Sequence, residues 1–198
     1  MKFFRRFCLS LWLAVSLAGA KQELQLLEQV QAFFNGLTSM EAPFAQLSNG
    51  KVTSGTFLLK REKGRVLIKF DYEDGQFILV DNEKLIVYHK KTKKKYQYCI
   101  SHTVIFEVLS GRLDFTKTQA QITEVTPKLV KVALKSPNTT GGQCVNLVFS
   151  RYQTTGNIQT LLAFTTEDAK TQTLVSFEPD KTTLNKPINT NEFALPHQ

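Results

Sequence analysis

The sequence predicts a mainly β protein, an antiparallel sandwich or barrel-like sheet partly covered by helix. Three observations carry this. Beyond Pro43 the apolar residues alternate with polar ones at a period of two almost to the C-terminus. Turn-forming pairs punctuate that alternation at short intervals: Asn49-Gly50, Lys63-Gly64, Asp74-Gly75, Asp81-Asn82, Gly141-Gly142 and Gly156-Asn157. Only two stretches, 21–37 and 101–111, carry a helical period instead.

At 198 residues the chain is the size of one domain. An apolar fraction of 42% with 21% charged residues excludes a disordered or membrane-embedded chain. No run approaches the ~20 apolar residues of a membrane-spanning helix.

Residues 1–20 read as a signal peptide. Lys2, Arg5 and Arg6 form a basic start, Phe7 to Ala18 is apolar apart from Ser10 and Ser16, and Ala18-Gly19-Ala20 is a small-x-small cleavage pattern. Its removal takes three cations, lowering the formal charge from +8 to +5, along with Cys8 and Trp12. Leu17-Ala18-Gly19 resembles the start of a bacterial lipoprotein processing box, but Ala20 stands where the lipidated cysteine would have to be. The expectation is an untethered, exported protein whose single domain is 21–198.

From Lys21 onward, Leu24, Leu27, Val30, Phe34 and Leu37, flanked by Leu26 and Phe33, form one stripe of an amphipathic helix. Strands are expected at 43–48, 52–61, 65–73, 76–81, 84–90, 95–100, 119–126, 128–136, 143–151, 157–166 and 171–178. Between the sixth and seventh lies a short apolar helix. Ser101 or Thr103 caps its start, Gly111 ends it, and Val104, Ile105, Val108 and Leu109 form its apolar face. It is expected to cover one face of the sheet.

Parity assigns the faces. Phe57, Leu59 and Arg61 share one; Val66, Ile68, Phe70 and Tyr72 share another; so do Val130, Val132 and Leu134, and Val145, Leu147 and Phe149, and Ile158, Thr160, Leu162 and Phe164. These large side chains exceed what two short helices would fill, so the concave face encloses either a packed core or a ligand cavity. Arg61 is the one charge on its face. Either it reaches solvent at the strand end, or its five donors hold backbone carbonyls of the covering helices.

Chemistry-bearing motifs are missing. There is no nucleophile elbow and no phosphate-cradling glycine loop, and His89, His102 and His197 lack metal-ligand spacing. No enzyme activity, metal or cofactor is expected. Cys99 and Cys144 either form a disulfide, as an oxidising compartment permits, or are buried thiols. Lys90, Lys91, Lys93, Lys94 and Lys95 make the densest charge cluster, either a solvated hairpin turn or a docking surface for anionic headgroups or an acidic partner. Nucleic acid is not an expected partner of an exported chain.

Several stretches, in order, resemble the LolA family of periplasmic outer-membrane lipoprotein carriers. They are Phe44-Ala45-Gln46, then Gly55-Thr56-Phe57-Leu58-Leu59-Lys60-Arg61, then Phe70-Asp71-Tyr72, then Val80-Asp81-Asn82-Glu83-Lys84-Leu85. The helix before Leu109-Ser110-Gly111 fits as well, as do Phe164 with Asp168, Thr171 with Thr173, Leu184-Asn185 with Pro187, and Phe193 with Leu195-Pro196. Glu62 departs from the proline that usually follows the family's arginine. The resemblance implies an unclosed barrel of about eleven strands with a helical lid, an acyl-chain cavity, and Arg61 as the lid latch. Phe44, Phe57, Leu59, Phe70, Tyr72, Leu147, Phe149, Leu162 and Phe164 are then the candidate cavity residues. It further implies a monomeric periplasmic chaperone. Its partners would be acylated lipoproteins, an inner-membrane lipoprotein-release ABC transporter and an outer-membrane lipoprotein acceptor. The alternative is a lipid- or lipoprotein-sensing module of the same half-barrel, without carrier activity.

Overall fold

The computed structural model describes residues 3–100, 103–115, 118–135, 144–167 and 171–195, with side chains from Ala20 onward. The expectations at Ser101, His102, Gly141-Gly142, Asp168, Pro196 and His197, and those resting on the side chains of residues 1–19, lie outside this set.

Helix α1 (Phe3–Gly36) leads into β1 (Ser39–Ser48), β2 (Lys51–Glu62), β3 (Arg65–Tyr72), β4 (Gln76–Asp81), β5 (Lys84–His89) and β6 (Lys94–Cys99). Helix α2 (Val104–Ser110) follows, then β7 (Gln119–Val125), β8 (Leu129–Lys135), β9 (Cys144–Arg151), β10 (Ile158–Glu167), β11 (Gln172–Phe177) and the two-residue β12 (Thr183–Leu184). All belong to one antiparallel sheet in the order β6-β5-β4-β3-β2-β1-β11-β10-β9-β8-β7, with β12 also on β1. Strands β6 and β7 do not pair with each other, so the sheet does not close, as the resemblance implied. No helix among the described residues is long and apolar enough to cross a membrane.

Strand bounds follow the sequence pattern closely, and the differences have local causes. Strand β1 begins at Ser39 rather than Pro43. Proline is tolerated inside it because β11 pairs Phe44–Ser48 and β12 pairs Met40–Glu41, leaving Pro43 in the gap between them, where that side of the ladder needs no donor. The helix starts at Phe3 rather than Lys21, and Leu24, expected on the buried stripe, is 49% exposed. Some of its polar residues face the protein. Glu23, Gln29 and Gln31 accept hydrogen bonds from the backbone N–H groups of Ile122, Ile158 and Phe115.

The main core lies on the concave face, where Leu26, Leu27, Val30 and Phe34 of α1 pack against strands from both halves of the sheet. Four rings join there. Phe34 stacks on Phe115 at 5.6 Å and meets Phe33 and Phe149 edge-on. A second apolar cluster, not anticipated from sequence, lies on the convex face. Leu58, Leu67, Phe77, Leu79 and Tyr88 are covered there by Phe193, Ile188 and Leu195 of the C-terminal segment. Strap and sheet are pinned by Lys60 Nζ donating to Thr190 Oγ1 and Lys69 Nζ to the Glu192 carbonyl.

Candidate functional site

The site begins with the register of β2 and β3. Phe57 pairs with Phe70, Leu59 with Ile68, and Arg61 with Val66, so all point to the concave side. Continuing outward, Ile68 faces Val80, Phe70 faces Ile78, and Val80 faces Leu85. One apolar surface thus runs across four strands. Helix α2 lies over it and presents Ile105, Phe106 and Leu109. Thr103 precedes the helix, its hydroxyl donating to the Ile100 carbonyl rather than capping. Gly111 closes it in the left-handed region at φ 72°. Backbone bonds from Gly111 to Val108 and from Arg112 to Glu107 satisfy the last carbonyls.

Between lid and sheet is a cavity of about 230 Å³. Of the predicted cavity residues, Phe70, Tyr72 and Phe164 line it. Phe44, Phe57, Leu59, Leu147 and Phe149 do not; they are 0–3% exposed and form the packed floor beside it. Phe44, for example, meets both Phe70 and Tyr72 edge-on. Leu162 is off the concave face. Register shifts in β10 place Leu161 opposite Phe149 and fully buried, and leave Leu162 as an extra, half-buried residue. Of the predicted lid residues, Ile105 and Leu109 line the cavity, whereas Val104 and Val108 are buried in the core. Sequence reasoning missed Gln46, Ile68, Ile78, Val80, Leu85, Ile100, Thr103, Phe106, Thr166, Thr173 and Val175 in the lining. Ile78, Val80 and Leu85 follow from parity once the β3–β4–β5 register is known.

Arg61 sits where the two helices end. Its Nε donates to the Leu109 carbonyl at 2.8 Å, Nη2 donates to the same oxygen, and Nη1 donates to the Phe34 carbonyl. Both acceptors are last-turn carbonyls, where helical bonding runs out; the Phe34 oxygen keeps only a bond of 3.3 Å from the Leu37 N–H, and helix C-termini favour a cation. Burial pulls the guanidinium down to about 10, which leaves it charged near neutrality. Gly111 is part of this arrangement, because a Cβ there would lie 2.7 Å from Arg61 Nη1. Gly111→Ala is therefore expected to displace the guanidinium and to cost about 1 kcal/mol for the left-handed backbone. Faster amide exchange in α2, with little change elsewhere, is the measurement that checks it.

Cys99 and Cys144 do not bridge. Cys99 is exposed on β6 at one edge of the sheet, and Cys144 is half-buried on β9 near the other. The lysine cluster forms the β5–β6 hairpin turn, with Lys93 at φ 55°; Lys90 pairs with Asp71 at 2.8 Å, and all of β6 is exposed. Among the described residues no group of three or more His, Cys, Asp or Glu could hold a metal ion.

No family model matches this sequence, and no curated protein matches it either. Solved structures do resemble the fold. A DUF1329 family protein from Desulfovibrio piger superimposes with a TM-score of 0.51 at 10% identity, over 85% of this chain and 95% of that one. MucB gives 0.51 at 12% identity over 88% of this chain, which spans only 63% of MucB. A domain named for outer-membrane lipoprotein sorting, from Vibrio parahaemolyticus, gives 0.49 at 10% identity over 88% and 97%. At such identities the likeness is one of fold alone.

Proposed function

We propose that this protein is a periplasmic carrier that shields the acyl chains of lipoproteins. It would receive them from an inner-membrane lipoprotein-release ABC transporter and pass them to an outer-membrane acceptor. One observation carries the reading: an apolar cavity under a lid whose two helices end on a single half-buried arginine. No covalent chemistry is needed. Each buried CH₂ favours binding by about 0.8 kcal/mol, and each charge-assisted hydrogen bond opposes opening by about 1.5–3 kcal/mol. Separating Arg61 from its two carbonyl acceptors is then offset by on the order of four to eight methylenes. A cavity of about 230 Å³ is smaller than the usual pocket for a drug-sized ligand, so cargo would enter by lifting α2. Binding and lid closure therefore oppose one another, which gives a carrier both retention and release.

The test is native mass spectrometry of the protein purified from the periplasm of a bacterial host expressing the full chain. Adducts matching acylated lipoproteins, removed by competing acyl chains, are the expected result. A protein that is empty and also ignores added lipoprotein would overturn the carrier reading.

A further inference from the structure

The cavity is apolar but not uniform. At the end of β2 remote from Arg61, its concave face turns polar. Gln46 lies opposite Thr53 there, and Tyr72 lies opposite Gly55. Gln46 also faces Val175 on β11, and Thr173 pairs with Thr166 on β10. Gln46, Tyr72, Thr166 and Thr173 all line the cavity and make a polar pole at this end; Thr103, the other polar lining residue, precedes α2 and spends its hydroxyl on the Ile100 carbonyl.

The hydrogen bonds at this pole leave a donor. The Tyr72 hydroxyl donates to Gln46 Oε1 at 2.7 Å. Burial pushes that phenol up to about 12, so it keeps its proton. With its oxygen engaged, Gln46 has an amide nitrogen without a partner among the described residues. The Thr173 hydroxyl bonds to that of Ser48 at 3.1 Å, which leaves it able to accept or donate once more. Among the described residues, no lysine, arginine, aspartate or glutamate lines the cavity. A ligand's polar group therefore meets neutral donors and no counter-charge. A carbonyl suits such a pole, whereas a carboxylate would be desolvated without a cation to offset it.

We propose that this pole selects acyl chains borne on an uncharged ester or amide linkage and excludes the same chains as free carboxylates. The inference rests on the acyl-binding reading of the cavity and adds both the ligand's linkage and its orientation: carbonyl towards Gln46, chain towards α2.

The test is displacement of an apolar fluorescent dye from the full-length protein by octane, methyl octanoate or octanoate, at about pH 5 and about pH 8. Methyl octanoate is expected to displace the dye at lower concentration than octane, and equally at both pH values. Octanoate is expected to be about tenfold or more weaker than the ester at the higher pH, with the gap narrowing as the acid is protonated. Gln46→Leu is expected to bring the ester down to the level of octane and leave octane unchanged; Tyr72→Phe, which frees the Gln46 oxygen, is expected to blunt the preference. Ester linkages reach such a cavity from lipoproteins or from glycerolipids. A diacylated lipopeptide and a diacylglycerol separate the two, and displacement by either supports the pole. Equal binding of octanoate and its ester at the higher pH, or an ester preference that survives Gln46→Leu, overturns the selectivity alone. Failure of all three small ligands to displace the dye overturns acyl binding itself, and the selectivity with it.

Discussion

Arg61→Leu is expected to load with acylated lipoprotein and then fail to hand it on. The substitution removes every side-chain donor that reaches the Phe34 and Leu109 carbonyls and adds apolar surface at the rim of the cavity. At about 1.5–3 kcal/mol for each charge-assisted bond, the variant loses much of what drives the lid shut. On the proposed carrier reading, that drive is what expels the cargo. Even 1.4 kcal/mol of extra retention slows release about tenfold, so transfer should fall by at least that factor while binding is unimpaired. Arg61→Lys separates charge from geometry. An ammonium is a point charge without the planar fork needed to hold two carbonyls from different helices, so its transfer should fall between the other two. A reconstituted assay that follows lipoprotein from loaded protein to acceptor reads both variants. Normal transfer by Arg61→Leu would remove the latch from the mechanism.

What the sequence made legible was local. Alternation and turn chemistry placed the strands because both act over a few residues. Asn49, Gly50, Gly64, Gly75, Asn82, Gly111 and Gly156 all have positive φ, where their side chains or lack of them are least strained. The inward direction of Arg61 followed from parity along an unbroken β2. Parity failed along β10, where register shifts moved Leu161 into the core and Leu162 out of it. A bulge leaves no fixed mark in composition. The convex cluster was hidden for a different reason: Leu58, Leu67 and Phe77 are buried only because the strap with Phe193 returns across more than half the chain. The hardest distinction was between floor and cavity. Phe57 and Phe70 share a face and a residue type, yet Phe57 is fully buried in the floor and Phe70 lines the void. That difference depends on where α1 and α2 settle, which strand patterns do not encode.

Phe34→Ala should be the most damaging single truncation for the fold, because Phe34 anchors the lid from two directions. Its ring is fully buried and touches Phe33, Phe115 and Phe149, joining α1 to β9 and to the segment after α2. Its carbonyl accepts from Arg61. Truncation of a buried phenylalanine costs about 3–5 kcal/mol, depending on how far the site collapses. Collapse is limited here, since β9 is held on both sides by β8 and β10. For a chain of this length the loss corresponds to a fall in Tm of about 6–20 °C. The carbonyl survives the substitution, but it stays within reach of Arg61 only while α1 remains docked. The variant is therefore expected to lose protease resistance in α1 before the sheet melts. Phe34→Leu, which restores most of the volume, should recover more than half of the stability and the protection of α1. Loss of stability in Phe34→Ala with α1 still protected would mean that Leu27, Val30 and the Glu23, Gln29 and Gln31 contacts hold the helix without it. Lid and latch would then be separable from the aromatic core.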